Sequence, residues 1–312
     1  SGKAQTLIGK YDLNYSISKT LELNAVLTNT YTDGSGSGIT ENTRNIFSSA
    51  FLMKHRPFQK FQYELGIRKE ITENYESPLL FSAGTHYDFT DFYSLKMNIS
   101  RNFRIPTYND LYWAGAGNLN LRPETSNQVE LGNHFKHRNL KFSLTGYYIK
   151  IDDMIRWLPS SNNIWRPKNE EKVETYGVEV LAGWEKEIFK DHQISASGTY
   201  AYTVSENMNT GYQLIYVPFH KATGSLTYAF TDFSIDYQLL YNGEVFTRSD
   251  NNSRYNMDAY TVSNLGITYD LGKTNTYKIG ARVLNIFDEE YQSVENWWMP
   301  GRNFNIYLNL NF

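Results

Sequence analysis

The feature that most constrains this chain is a two-residue period. From Arg302 to Phe312 every even position from Phe304 onward is apolar, and the odd positions from Asn303 are Asn apart from Tyr307. Such alternation predicts a β-strand with one apolar and one polar face. Phe233, Ile235, Tyr237, Leu239 and Tyr241 alternate in the same way with Ser234, Asp236, Gln238, Leu240 and Asn242. Leu140–Leu144, Phe61–Ile67 and Tyr277–Val283 repeat it. These segments run to roughly 10–12 residues, twice the usual strand and close to the ~9–11 that a tilted strand needs to cross a bilayer. The pattern predicts about fifteen strands, over 5–17, 20–31, 44–55, 59–72, 79–88, 92–103, 125–136, 140–151, 171–186, 192–205, 217–230, 233–246, 258–271, 275–287 and 302–312.

Face composition decides what those strands are for. The apolar faces of the clean strands carry Leu, Ile, Val, Phe, Tyr, Ala and Gly, with no charge in mid-strand. The opposite faces carry Lys10, Asp12, Glu22, Glu64, Arg68, Lys141, Glu179, Asp236, Lys278 and Arg282. A Lys or Arg facing lipid at the midplane costs ~2–4 kcal/mol, so this split fits lipid on one side and water or protein on the other. Tyr11, Tyr15, Tyr87, Phe89, Tyr228, Phe230 and Phe233 cluster near strand ends, where interfacial aromatic girdles sit. Connections alternate short and long. The short ones include 18–19, 56–58, 90–91, 136–139, 189–191, 231–232 and 272–275; the long ones are 32–43, 73–78, 104–124, 152–170, 206–216, 247–257 and 288–301. Bacterial outer-membrane barrels have this asymmetry, with short periplasmic turns and long outer loops.

Composition excludes other classes. Mean hydropathy is −0.54, and no apolar run reaches the ~18 residues of a transmembrane helix. There is no cysteine, hence no disulfide, thiolate metal site or thiol nucleophile. A net charge of −3 gives no electrostatic reason to expect nucleic acid. A β-propeller is the alternative architecture, because short turns recur at intervals near a blade length, but blades use short strands and these are long. No phosphate-cradling Gly loop or Gly-x-Ser-x-Gly elbow is present, and the long connections hold no histidine, so no enzyme is expected. His134 and His137 are three apart and face opposite sides of a strand, so no metal site is expected from them. An inward His86 or His134 is the histidine candidate for haem ligation.

The stretch 101–131, RNFRIPTYNDLYWAGAGNLNLRPETSNQVEL, resembles the TonB-dependent outer-membrane receptors. Phe103, Arg104, Pro106, Thr107, Leu111, Tyr112, Gly117, Asn118, Leu121, Pro123, Glu124, Ser126, Glu130 and Gly132 carry the likeness; Asp110 stands where Glu is commoner. Ile151, Asp152, Ile155 and Tyr176–Glu179 match a second block, and Asn285–Tyr291 resembles a third. Pro300–Arg302 and the terminal aromatic Phe312 match the closing strand. The resemblance covers essentially the whole of 1–312 as one unit. It implies an all-β antiparallel transmembrane barrel, about 15 strands of roughly 22, with the plug and first strands outside this sequence. The odd strand count points the same way, because single-chain barrels have even numbers.

The resemblance further implies energised import of a scarce bulky solute, a metal chelate such as a ferric siderophore or haem, or cobalamin. Partners would be outer-membrane lipid, TonB through the N-terminal part, the chelate itself, and a surface lipoprotein; no resident cofactor is implied. A passive porin and a soluble all-β binding module are the competing functions. Solute-contact candidates are the aromatic and cationic residues in or beside the long connections: Trp113, Trp157, Trp165, Tyr255, Trp297 and Trp298, with Arg156 and Arg166. Tyr212, Tyr216, Arg248 and Arg254 accompany them. Aromatic faces with a few guanidiniums suit a flat or anionic chelate. Arg104, Pro106, Asn118, Pro123 and Glu124 are expected to shape a loop base: the prolines fix the backbone, Asn118 tolerates a tight turn, and a buried Arg–Glu pair holds it.

Overall fold

A computed structural model of the chain describes residues 2–36, 39–160, 164–271 and 277–310. Phe312 and the 272–275 turn lie outside them. The elements are β1 (Gly2–Ser16), β2 (Leu21–Gly36), β3 (Ile39–Phe58), β4 (Phe61–Thr72), β5 (Leu80–Asp88), β6 (Tyr93–Arg104), α1 (Tyr108–Tyr112), β7 (Glu124–His137), β8 (Leu140–Pro159) and β9 (Trp165–Phe189). They continue with β10 (His192–Asn207), β11 (Tyr212–Gln213), β12 (His220–Phe230), β13 (Phe233–Asn242), β14 (Tyr260–Leu271), β15 (Tyr277–Leu284), β16 (Gln292–Val294), β17 (Trp297–Trp298) and β18 (Asn303–Leu310).

Fifteen long strands pair in chain order as one antiparallel meander, with β11 attached to β10 and with β16 and β17 as a separate hairpin. Among the described residues β1 and β18 are the two edges, so the wall is an open arc of a barrel. Among the described residues no helix is long and apolar enough to cross a membrane.

The register places the predicted faces on single ladders. Glu22, Lys54, Glu64, Gly84, Asn98, Glu130 and Tyr147 are successive cross-strand partners on the polar face. Leu23, Met53, Leu65, Ala83, Ile99, Val129 and Tyr148 are the matching ladder on the apolar face. A slip of one residue in any pair would exchange the faces, so the match over many strands fixes the register. Tyr307, the exception in the terminal Asn row, lies over Gly280, whose missing Cβ would collide with its ring. Its hydroxyl pairs with Thr268 Oγ1 at 2.8 Å. The aromatic fills the space that glycine leaves on the next strand.

At the short-connection rim the apolar face ends in a run of touching rings. Phe58, Phe61, Tyr87, Phe89, Tyr93, Phe135 and Phe142 follow one another at centroid distances of 4.7–6.2 Å. At the opposite rim strands outgrow the predicted lengths. β3 and β8 have 20 residues each and β9 has 25. The 152–170 segment, expected as a loop, is thus mostly a hairpin: Met154 pairs with Glu170, Arg156 with Lys168 and Pro159 with Trp165. Pairing continues past the span a bilayer requires in spite of a left-handed Asp153 and of Pro167 in the returning strand, and it ends at the Pro159–Trp165 pair.

Candidate functional site

The long-connection rim divides into a folded clamp and an aromatic-cationic group. The clamp is the 104–124 segment, held on the polar face. Arg104 Nη2 donates to Glu124 Oε2 at 2.8 Å and to the Ile155 carbonyl at 3.1 Å. Ile155 N–H in turn donates to Glu124 Oε2 at 3.0 Å. The Glu124 carboxylate accordingly raises the Arg104 pKa above its ordinary value, against a smaller opposing effect of burial. The pair is half-buried, with side-chain exposures of 44% for Arg104 and 18% for Glu124.

Pro106 is fully buried, and its carbonyl accepts from Arg44 Nη1 on β3 at 2.8 Å. The same guanidinium lies over the Tyr108 ring at 4.9 Å, and Tyr108 OH donates to the Thr32 carbonyl on β2. Thr107 and Asp110 form a reciprocal capping box at the start of α1. The Asp110 carboxylate also accepts from Trp157 Nε1 at 2.8 Å, which ties the β8 extension to α1. Leu111, Leu121 and Ile155 pack beneath as a small core, with Tyr112 against it.

Asn118 N–H donates to the Asp110 carbonyl and its Nδ2 to the Pro167 carbonyl, while its Oδ1 accepts from Asn120 N–H. Gly117 admits no side chain, since a Cβ there would sit 2.5 Å from the Leu111 carbonyl oxygen. Pro123 stands between Arg122, which pairs with Asp153, and Glu124. Asp153 has φ of 56°, and Asn169 Nδ2 donates to its carbonyl at 2.7 Å. The residues that hold this region but did not stand out in the sequence are Arg44, Tyr108 and Asn169. Their partners are far along the chain, so no local pattern marks them.

The second group joins four connections. Trp165 on β9 meets Tyr216 at 6.3 Å between ring centroids. Arg156 Nη2 donates to the neighbouring Ile215 carbonyl at 3.3 Å. Burial holds the Arg156 pKa below its usual value, partly offset by Glu170. Tyr216 N–H donates to the Phe246 carbonyl. Burial raises the Tyr216 pKa, and a backbone hydrogen bond from Glu295 works against it. Arg248 sits 5.1 Å over the Tyr255 ring, and Thr247 Oγ1 donates to the Tyr255 carbonyl at 2.6 Å. Arg248 Nη2 faces Glu295 Oε1 at 3.6 Å. Glu295 belongs to the turn of the β16–β17 hairpin, which carries Trp297 and Trp298 as exposed side chains.

The eight sequence candidates therefore fall in different places. Arg156, Trp165 and Tyr255 join the aromatic-cationic group through Ile215, Tyr216 and Arg248, and the Trp297–Trp298 hairpin leans on it through Glu295. Trp157 is engaged by the clamp. Trp113 closes α1 and is exposed. Arg166 is partly buried opposite Leu158.

Lower on the polar face, Arg56, Gln62, Glu64, His86, Lys96 and Glu130 help line a hollow of about 680 Å³. His86 pairs with Asp88 at 2.9 Å and His134 with Ser143 at 2.9 Å. Among the described residues no group of three or more His, Asp or Glu could hold a metal ion.

A long-stranded antiparallel wall, apolar on one face and polar on the other, with a folded rim on the polar side, defines a class: the wall of a large antiparallel β-barrel. Residues 2–286 match the family model described as "TonB dependent receptor-like, beta-barrel", and the chain belongs to that family. It is 26% identical over 309 residues to the vitamin B12 transporter BtuB of Photobacterium profundum, covering 97% of this chain and 49% of that protein. It is 27% identical over 270 residues to the BtuB of Vibrio vulnificus, covering 85% and 42%.

Among solved structures, the ferric enterobactin receptor PfeA of Pseudomonas aeruginosa (G324V mutant) superposes with a TM-score of 0.79 at 19% identity, over 100% of this chain and 54% of that one. The siderophore receptor PirA of Acinetobacter baumannii gives 0.79 at 18%, over 100% and 55%. The chain spans about half the length of the relatives it matches.

Proposed function

We propose that this chain forms part of the wall and most of the capture rim of a bacterial outer-membrane transporter that takes up a bulky solute, cobalamin or a ferric chelate, with energy delivered by TonB. The observation that carries the reading is the two-faced wall joined to a polar-side rim, in a chain that belongs to the TonB-dependent receptor-like barrels. The apolar face meets outer-membrane lipid. The polar face meets water and the plug of the complete receptor, through which TonB acts. The long connections face outward and the ringed rim lies at the periplasmic interface. A surface lipoprotein is a further partner on the outer side. The chain has no catalytic role.

Within the rim, Trp165, Tyr216, Tyr255, Trp297 and Trp298 offer ring faces, and Arg156 and Arg248 offer positive charge. Trp113 and Arg166 lie at the margin of this surface. Such a set suits a flat or anionic solute held by stacking and charge together.

The test is uptake by the full-length receptor in cells with and without TonB, using labelled cyanocobalamin and ferric chelates. Expected is accumulation of one of them that stops without TonB. Changing Trp297 and Trp298 together to Ala should weaken binding of that solute about 10-fold, as loss of stacking contacts does, and leave the wall folded. Free conductance through the complete protein, with no dependence on TonB, would make it a passive pore and overturn the reading.

A further inference from the structure

We infer that Arg248 receives an anionic oxygen pair of the captured solute, that the Glu295 carboxylate is its internal stand-in, and that displacing Glu295 releases the β16–β17 hairpin. The inference rests on the rim being the capture surface.

The geometry at Arg248 is that of a cation poorly served by its own protein. A guanidinium presents five donors in a fixed fork and is best matched by two oxygens at once. Here one nitrogen faces one oxygen of Glu295 at 3.6 Å, well beyond the ~2.7–2.9 Å of a strong charge-assisted bond. Arg248 Nε is buried with no hydrogen-bond partner among the described residues. Such a donor carries an unreturned desolvation cost, while the side chain as a whole is 40% exposed, so the outer nitrogens are open to a better acceptor. The Tyr255 ring beneath holds the guanidinium in place for it.

Other carboxylates near Arg248 in the chain have partners of their own. Glu244 accepts from Asn256 Nδ2 at 2.7 Å, and Asp250 from Asn252 N–H at 3.1 Å. Glu295 is the one that reaches Arg248, and it comes from a different connection.

The hairpin is lightly built. Its strands pair at Gln292 with Trp298 and Val294 with Trp297, with Asn296 N–H donating to Gln292 Oε1 across the turn. It meets the rest of the rim through the Glu295 carboxylate at Arg248, through the Glu295 backbone hydrogen bond to Tyr216 and, at its base, through the Tyr260–Tyr291 ring contact at 4.5 Å. Replacing the Glu295 carboxylate at Arg248 removes one of these ties and so loosens the element that carries Trp297 and Trp298. Charge recognition at Arg248 becomes movement of the aromatic pair.

The chain has no cysteine, so Ser293→Cys places one thiol on β16. Ser293 is exposed, and its Oγ donates to Met299 Sδ across the hairpin, so the rate at a thiol there reads how closely the facing strand crowds a bulky reagent. In the detergent-purified full-length receptor, with any thiol elsewhere replaced, the readout is the rate at which a bulky maleimide modifies the introduced thiol. Citrate is the anionic probe and its neutral trimethyl ester the control. Citrate should raise the rate about three- to five-fold, the size expected for release of an exposed ion pair, and the ester should not. Glu295→Gln should give the raised rate without citrate. Arg248→Gln should give it too and be blind to citrate.

A rate unmoved by citrate, or unmoved by Glu295→Gln, overturns the inference. Heat-modifiable migration of each variant on a gel checks that the barrel is folded. A receptor that responds to citrate but accumulates neither cobalamin nor a ferric chelate overturns the import reading alone. One that accumulates a chelate while the thiol on β16 is indifferent overturns the stand-in alone.

Discussion

At one rim of the wall Phe230 pairs directly with Phe233, and the chain reverses through Thr231 and Asp232. At the other rim the segment from Arg104 to Glu124 leaves the sheet, forms α1, and is fastened to β2, β3, β8 and β9 before it returns. At the first rim each turn is closed by neighbours in sequence, and rings such as Tyr93 and Phe135 touch from strand to strand. The second is made by partners as far apart as Thr32 and Tyr108, 76 positions along the chain. Local bonds set a hairpin and then stop. Long-range polar bonds set a surface, and that is where a family with a common wall can diversify what it binds.

The largest expected difference between the rims comes from Glu124→Ala. It removes the acceptor of both Arg104 and the Ile155 amide, leaving a half-buried guanidinium and a backbone donor without it. The local cost should be about 2–3 kcal/mol, as for hydrogen bonds to charged groups. Amide exchange of Leu111, Asn118 and Ile155 should speed up on the order of 30–100-fold, while amides at Phe230 and Phe233 keep their rates. Equal loosening at both rims would mean that the clamp supports the whole wall rather than one edge.

Asp110→Ala comes next. Asp110 accepts from Thr107 N–H and Thr107 Oγ1 as well as from Trp157 Nε1. Loss of a helix cap costs about 1–2 kcal/mol. Protease cutting within 104–124 should increase, and Trp157 should show red-shifted emission as its indole N–H turns to water. An unchanged cleavage pattern would show that the Leu111–Leu121–Ile155 core holds α1 without its cap.

The same contrast explains how much was legible in the sequence. The wall was legible because period two survives from residue to residue and the cross-strand register repeats it. Phe304, Ile306 and Leu308 announce a face without reference to any partner. The 152–170 hairpin was not, because its polar residues look like a loop until Met154–Glu170 and Arg156–Lys168 are seen to pair. The site was legible by residue type only. Trp157 and Trp165 have the same chemistry and similar settings in sequence, yet one is tied to Asp110 and the other is exposed beside Tyr216. Glu295 carries no signal of its own. Its place opposite Arg248 depends on two connections folding toward each other.

The smallest expected effect tests the local rule itself. Phe-Thr-Asp-Phe occurs at 89–92 and again at 230–233, and the two copies fold differently. In the first, Thr90 Oγ1 accepts from the amides of Phe92 and Tyr93, and Phe89 N–H reaches the Tyr93 carbonyl. In the second, Thr231 adopts a φ of 49°. A β-branched residue in the left-handed region is strained by roughly 1–2 kcal/mol, and glycine is not. Thr231→Gly should therefore stabilise its hairpin by up to about 1 kcal/mol, the relief of strain exceeding the entropy lost with glycine. Thr90→Gly should destabilise by about 1 kcal/mol, because it deletes the hydroxyl acceptor and adds chain entropy. Amide exchange at Tyr93 and Phe233 separates the two. Opposite signs from one substitution in one tetrapeptide mean that the flanking pairs, Asp88 with Ser94 and Phe230 with Phe233, choose the turn; equal signs would return that choice to the four residues themselves.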